Sequence, residues 1–301
     1  MDADSRAASL LALPLEERRA AFKRLSSEQR RNIRSYWRLW AHEGQLPPAG
    51  CWQTWLIMAG RGFGKTRAGA EWARSVAEKD PAARIALVSA SLAEARMVMI
   101  EGASGLLSVA PATMRPAFEP SKRKLTWPNG ASAAIYSAGE PDSLRGPQHS
   151  HAWCDEIAKW DQAGGRAEAA WDNLLLGLRL GEFPQVVATT TPRAVPLLHR
   201  IVASPEVAIT RGSTEVNRRN LPAGFLRSVR REFGGTALGR QELDGELLTD
   251  IEGALWTRAL LERCREPLSE PAVRVVVDIE ARTAIAAIAS ALTEAGIFPS
   301  I

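Results

Sequence analysis

"WLIMAGRGFGKTRAGAEW", Trp55 to Trp72, is the stretch on which the fold turns. From Ala59 it reads A-G-R-G-F-G-K-T, the Walker A pattern with Ala where the first Gly usually stands. A loop that cradles phosphate needs a buried strand leading in, a turn that exposes backbone N–H groups, and a helix whose positive end faces the anion. Trp55 to Met58 is apolar enough for the strand. Gly60, Gly62 and Gly64 permit the N–H-rich turn. The run from Thr66, "TRAGAEWARSVAEKD", has helical composition with an apolar face of Ala70, Ala73, Val76 and Ala77. The order predicts a nucleotide site in which Lys65 reaches the β- and γ-phosphates and Thr66 places its hydroxyl on Mg2+.

Outward from the loop, short apolar runs alternate with helical ones. "RIALVSAS" predicts a strand over Ile85–Ser89, and "LAEARMVMIEG" a helix after it. "KLTWPNGASAAIYSA" reads as a hairpin about Pro128-Asn129-Gly130. "FPQVVATTTPR" predicts a strand from Gln185 to Thr189 with a threonine tip, and "PAVRVVVDIE" one more near the end. This alternation argues for an α/β fold with a mainly parallel, covered sheet. Ahead of it, residues from Ser5 to about His42 read as one or two basic amphipathic helices, with a start near Ser26–Gln29, broken by "GQLPPAG".

Hydrolysis needs a carboxylate for the metal and a group that activates water. Asp155-Glu156, after "HSHAWC", is the acidic pair that follows a core strand, although that strand is poor in aliphatics. Asp155 suits the metal shell and Glu156 the attacking water. Thr189, Thr190 and Thr191 put hydroxyls at a strand's carboxyl end, where α/β ligands sit. Arg61 inside the loop and Arg145 in "SLRGPQ" are rival candidates for stabilising transition-state charge. His149 and His151 lack a third ligand at convincing spacing, so no metal site is expected there.

The 301 residues, 46% hydrophobic and 24% charged, suit a protein with a real core, and a net charge of +4 leans mildly toward an anionic partner. Cys51, Cys154 and Cys264 form no C-x-x-C pair, which argues against a cysteine zinc site and for a reducing interior. No apolar run has membrane-spanning length and no signal-peptide core is visible, so a soluble, intracellular protein without membrane contact is expected. Ten tryptophans against two tyrosines allow base stacking, but packing is the expected use of Trp37, Trp40, Trp52, Trp55, Trp72 and Trp153.

Taken together, Gln45 in "GQLPP", "AGRGFGKTRAGAEW", "SLRGPQ", "WCDEIAKW" and "TTTPR" resemble the large terminase subunit of tailed phages and gene transfer agents. Later segments "RGSTEVNRRNL", "GGTALGRQELDGELL" and "EGALW" look like that family's link from ATPase to nuclease. The resemblance covers roughly Gln45 to Arg274. It implies a RecA-like P-loop core of the ASCE class with a small lid, in which Gln45 contacts adenine. Lys65 and Thr66 fall on Walker A, Asp155 and Glu156 on Walker B, and Thr189 to Thr191 on the coupling motif. Arg145 falls near a finger that acts on a neighbouring subunit.

It further implies ATP and Mg2+ as cofactors and a homo-oligomeric ring at the portal protein of a procapsid, in the cytoplasm of the bacterial host. The implied partners are double-stranded DNA and a small terminase subunit. The expected domains are 1–44, basic helices; 45–210, ATPase core; 211–271, lid and linker; and 272–301, a stub of a ribonuclease-H-like nuclease domain. Asp278 falls near that domain's first metal-binding Asp. Past it only Glu280 and Glu294 are acidic, too few for a two-metal site, so no nuclease activity is expected.

The alternatives are a degenerate terminase that binds nucleotide or DNA without turnover, or another P-loop machine such as a helicase or small-molecule kinase. A GTPase is disfavoured because no N-K-x-D appears.

Overall fold

The computed structural model describes residues 12–26, 36–163 and 165–248, with Ser9 and Ile33. The expected stub 272–301, Asp278 and "EGALW" lie outside the described residues. One of the expected N-terminal helices is present as α1 (Leu15–Arg24). The helical reading does not extend to His42: the chain there makes single 3-10 turns at Trp37–Leu39 and Glu43–Gln45. The reason is tertiary. Trp37 is spent on Arg67, in the helix after the glycine loop, and His42 and Gln45 on the loop itself, and these contacts override local helix preference.

β1 (Thr54–Ala59) is buried from Trp55 onward, as its apolar run predicts. It runs through the loop into α2 (Lys65–Lys79), whose buried face includes Ala70, Ala73 and Ala77. β2 (Arg84–Ser89) follows, then a helical stretch that begins at Leu92–Glu94 and widens to a π-helix over Ala95–Ile100. β3 (Ala117–Glu119) and β4 (Lys124–Thr126) lead into β5 (Ser132–Ser137). The β4–β5 pair is the expected hairpin: it is antiparallel, and Gly130 takes φ +105° at the turn. Asn129 Nδ2 ties that turn to the Ala77 carbonyl of α2 at 2.7 Å.

β6 (His151–Cys154), α3 (Ala167–Gly177), β7 (Gln185–Thr190), α4 (Pro196–Ala203), β8 (Val207–Gly212) and α5 (Ala223–Phe233) complete the described elements that matter here. The sheet order is β3-β4-β5-β2-β6-β7-β1-β8. From β5 to β8 every neighbouring pair is parallel, and β4 alone runs against the rest, antiparallel to both β3 and β5.

One detail of this order decides the site. β7 pairs with β1 on one side and with β6 on the other. The threonine-tipped strand therefore lies between the loop strand and the acid-tipped strand, and all three end at the same carboxyl edge.

Both faces of the sheet are covered. Trp55, Trp72, Trp127 and Trp153 fill one core and Trp160 and Trp171 the other. Packing is thus the use of most tryptophans. Trp37 and Trp40 depart from it, Trp40 being 48% exposed. Trp153 and Cys154, both fully buried, supply the burial that β6 lacks in aliphatic residues.

Candidate active site

The glycine loop takes its shape from both ends of the described chain. Gly62 and Gly64 sit at φ +76° and +93°, the left-handed region where a Cβ is disfavoured. A side chain at Gly64 would also collide with the Gln45 amide. That amide is 3% exposed; its Nε2 donates to the Gly64 carbonyl at 3.2 Å and its Oε1 accepts from His42 N at 3.2 Å. Gln45, expected at adenine, thus shapes the loop, though it also lines the cavity beside it.

His42 Nε2 lies 3.0 Å from the Phe63 carbonyl, where only an N–H can bond, so the proton sits on Nε2. From the far side, Thr214 Oγ1 donates to the Arg61 carbonyl at 2.6 Å and Asn217 Nδ2 to the Gly62 carbonyl at 2.7 Å. Arg61 itself pairs with Glu242, which raises its already high pKa further.

Lys65 opens α2 and is 6% exposed. Its ammonium uses three donors, to Ala59 O at 2.8 Å, Gly60 O at 3.2 Å and Thr191 Oγ1 at 3.0 Å, and stands 3.7 Å from Glu156 Oε1. Burial lowers its pKa, with Glu156 and Asp155 pulling the other way. Thr66 Oγ1 lies 3.4 Å from Asp155 Oδ1, and Thr189 Oγ1 donates to that same oxygen at 2.7 Å. Burial and the neighbouring Glu156 push the Asp155 carboxyl up to about 6.

Glu156 is one of two non-glycine residues with positive φ among those described, at +48°. Such strain at a carboxylate is held only where its surroundings over-determine it. Thr191 supplies the hold: its N–H donates to Glu156 Oε2 at 3.0 Å and its hydroxyl lies 3.5 Å from Oε1. Thr190 Oγ1 accepts from Ala158 N at 3.2 Å, so each of the three threonines is bonded to the 155–158 turn.

These groups converge on a cavity of about 940 Å3, lined by Gln45, Arg61, Lys65, Thr66, Glu156 and Thr191 among others. Asp155 lies just beneath it, bonded to Thr66 and Thr189. Arg145 is not brought there; it is exposed in the β5–β6 connection and does not line the cavity. His149 and His151 are not part of the site, and no metal-binding cluster of three or more His, Cys, Asp or Glu exists among the described residues.

Sequence reasoning missed several groups here. Trp37, Trp40, Arg67, Lys159 and Arg193 all line the cavity. Arg67 stands over the Trp37 ring at 5.3 Å and is held by Glu71, while Lys159 is held by Glu94. The signal for Trp37 was its setting, flanked by Arg38 and Tyr36 rather than by an apolar run.

A covered, mainly parallel sheet with a glycine loop opening a helix at its carboxyl edge defines the class, an α/β domain. The family follows from comparison. Residues 56–263 match the family "Terminase large subunit, T4likevirus-type, N-terminal", and the chain belongs to it. Among solved structures it resembles the large terminase ATPase domain of Thermus phage P74-26, with TM-score 0.53 and 15% identity over 69% of this chain and 94% of that one.

The large terminase of a thermophilic bacteriophage in complex with ADP gives TM-score 0.53 and 12% identity over 73% of this chain. The match covers 53% of that larger protein, about half its length. At these identities the likeness is one of fold alone. No curated protein matches the sequence. No helix among the described residues is long and apolar enough to cross a membrane.

Proposed function

We propose that this chain is the ATP-hydrolysing motor subunit that drives double-stranded DNA into the procapsid of a phage or gene transfer agent. The observation that carries the reading is the convergence of Lys65, Thr66, Glu156 and Thr191 on one cavity, with Asp155 bonded to Thr66 beside it. Family membership supplies the machine to which such a site belongs.

The residues fit ATP with Mg2+. A hydroxyl and a buried carboxylate 3.4 Å apart form a hard-oxygen pair of the kind Mg2+ accepts alongside phosphate. The ion, when bound, neutralises phosphate charge and relieves the cost of the buried Asp155 carboxylate. Lys65 and the loop N–H groups hold the β- and γ-phosphates. Glu156 accepts a proton from water as the water oxygen bonds to the γ-phosphorus and the bond to the β-phosphate oxygen breaks, yielding ADP and phosphate.

Thr189, Thr190 and Thr191 bond to the 155–158 turn and to Lys65, so a change at the terminal phosphate is felt along β7. Residues 211–271 act as the lid and linker of the 45–210 core, through Thr214, Asn217 and Glu242 on the loop. Double-stranded DNA, the portal protein, a small terminase subunit and further copies in a ring are the partners of this reading, and the host cytoplasm its place. Arg145, exposed, is free to act on a neighbouring copy.

The test is steady-state ATP hydrolysis with and without linear duplex DNA, beside Lys65→Ala. Turnover that requires Lys65 and rises with DNA is expected. Binding without turnover would instead identify a nucleotide-holding subunit and defeat the motor reading.

A further inference from the structure

Five basic side chains line the cavity, and four are already engaged by the protein: Arg61 by Glu242, Lys65 by Thr191 and two carbonyls, Arg67 by Glu71, Lys159 by Glu94. Arg193 is the exception. It is half-buried, and its guanidinium has no hydrogen bond or ion pair among the described residues. A guanidinium carries five N–H donors, and partly withdrawing them from water without an acceptor is unfavourable. An arrangement of this kind is suited to an anion that arrives in the cavity.

Its backbone is unusually fixed for a loop. Pro192 precedes it and Pro196 opens α4, each locking φ near –65°. Between them Val195 N bonds back to the Arg193 carbonyl at 2.8 Å. Two residues upstream, Thr191 holds both the Lys65 ammonium and the Glu156 carboxylate. Arg193 is thus mounted on the same rigid strand end that orients the catalytic groups, and little backbone entropy remains to be lost when it engages a ligand.

We propose that Arg193 contacts the terminal phosphoryl group of the ATP bound in its own chain and stabilises the charge that builds there during hydrolysis. This inference rests on the motor reading above. It separates two roles that sequence left to Arg61 and Arg145: Arg193 acts within the subunit, and Arg61 answers to Glu242.

The experiment measures binding of ADP and of a non-hydrolysable β,γ-imido triphosphate by calorimetry, with turnover, for the full chain and for Arg193→Ala and Arg193→Lys. Arg193→Ala is expected to leave ADP affinity unchanged and to weaken the triphosphate by about 10- to 100-fold, the loss of one charged hydrogen bond. Turnover should fall by about 100- to 1,000-fold, the usual loss for one transition-state donor. Arg193→Lys should recover triphosphate affinity more than turnover, because a point charge replaces a planar fork.

Equal losses for ADP and triphosphate, or unchanged turnover, would overturn the proposal. So would recovery of turnover on mixing Arg193→Ala with Lys65→Ala chains, which would place the arginine at a neighbour's site. A wild-type chain that binds no nucleotide would overturn this inference and the motor reading together. Turnover that depends on Lys65 but not on Arg193 would overturn this inference alone.

Discussion

Gly69 sits in α2 one turn beyond Thr66, where the helix crosses Trp153 of β6. A Cβ built there falls 2.8 Å from Trp153 Cδ1 and closer still to Nε1 and Cε2. Two effects of Gly69→Ala oppose each other. Helix propensity favours Ala by about 1 kcal/mol. Overpacking against a rigid buried group costs about 1–3 kcal/mol. Trp153 is 0% exposed and belongs to a strand paired on both sides, so the indole has nowhere to retreat.

With three ring atoms inside contact distance the clash falls in the upper part of its range, about 2–3 kcal/mol, so it wins and leaves a net loss of about 1–2 kcal/mol. For a domain of this size that lowers Tm by roughly 2–8 °C. Relief by lifting α2 would widen the 3.4 Å gap between Thr66 and Asp155, so turnover should fall as well. Thermal unfolding by circular dichroism reads the first effect and phosphate release the second. In a Trp153→Phe background the same substitution should cost much less, which a double-mutant cycle would report as coupling. A rise in Tm for Gly69→Ala alone would refute the idea that α2 and β6 are locked at glycine distance.

Glu156→Gln should reduce phosphate release by about 100- to 10,000-fold while nucleotide still binds; retained turnover would remove Glu156 as the base. Asn217→Ala deletes the bond to the Gly62 carbonyl and should cost about 1 kcal/mol of stability together with weaker nucleotide binding, read by denaturant unfolding and calorimetry. His149 is 4% exposed, packs edge-on against Tyr136, and burial pushes its pKa from 6.5 down to about 4. The unfolded chain thus binds the proton more readily. The stability that neutral His149 contributes is complete above pH 6.5 and is lost as pH falls toward 4, by about 3 kcal/mol in all. His149→Phe should flatten that fall in denaturant titrations between pH 8 and pH 4.5, and identical slopes for the two proteins would exclude His149 as its source.

Much of this molecule is legible in the chain because its signals are local. The apolar run, glycines and Lys-Thr of residues 55–66 announce strand, loop and helix in order, and Pro128-Asn129-Gly130 announces its turn. Asp155-Glu156 and the three threonines mark strand ends. What local pattern does not carry is which strands become neighbours. Nothing in the period of Gln185–Thr190 says that it inserts between β1 and β6, yet that insertion is what lets Thr189 touch Asp155 and Thr191 touch both Lys65 and Glu156. The same limit hid the destinations of side chains. Arg145 and Arg193 both stand in proline-containing loops, and only the fold sends one outward and the other to the cavity. Gln45 fits an adenine contact by motif, and the fold adds what the motif does not carry, that its buried amide bonds the Gly64 carbonyl and the His42 N–H.

The clasp on the glycine loop also has a bearing on biosynthesis. The loop depends on Gln45, 19 residues upstream of Gly64, and on Thr214 and Asn217, 153 and 155 residues downstream of their partners. Closing so long a stretch of chain is slow, and it must wait until the ribosome has delivered both ends. A nascent chain thus carries the entire phosphate motif long before it has the shape that grips phosphate. On the reading proposed above, competence to hydrolyse ATP arrives only after Thr214 and Asn217 have been made and have found the loop.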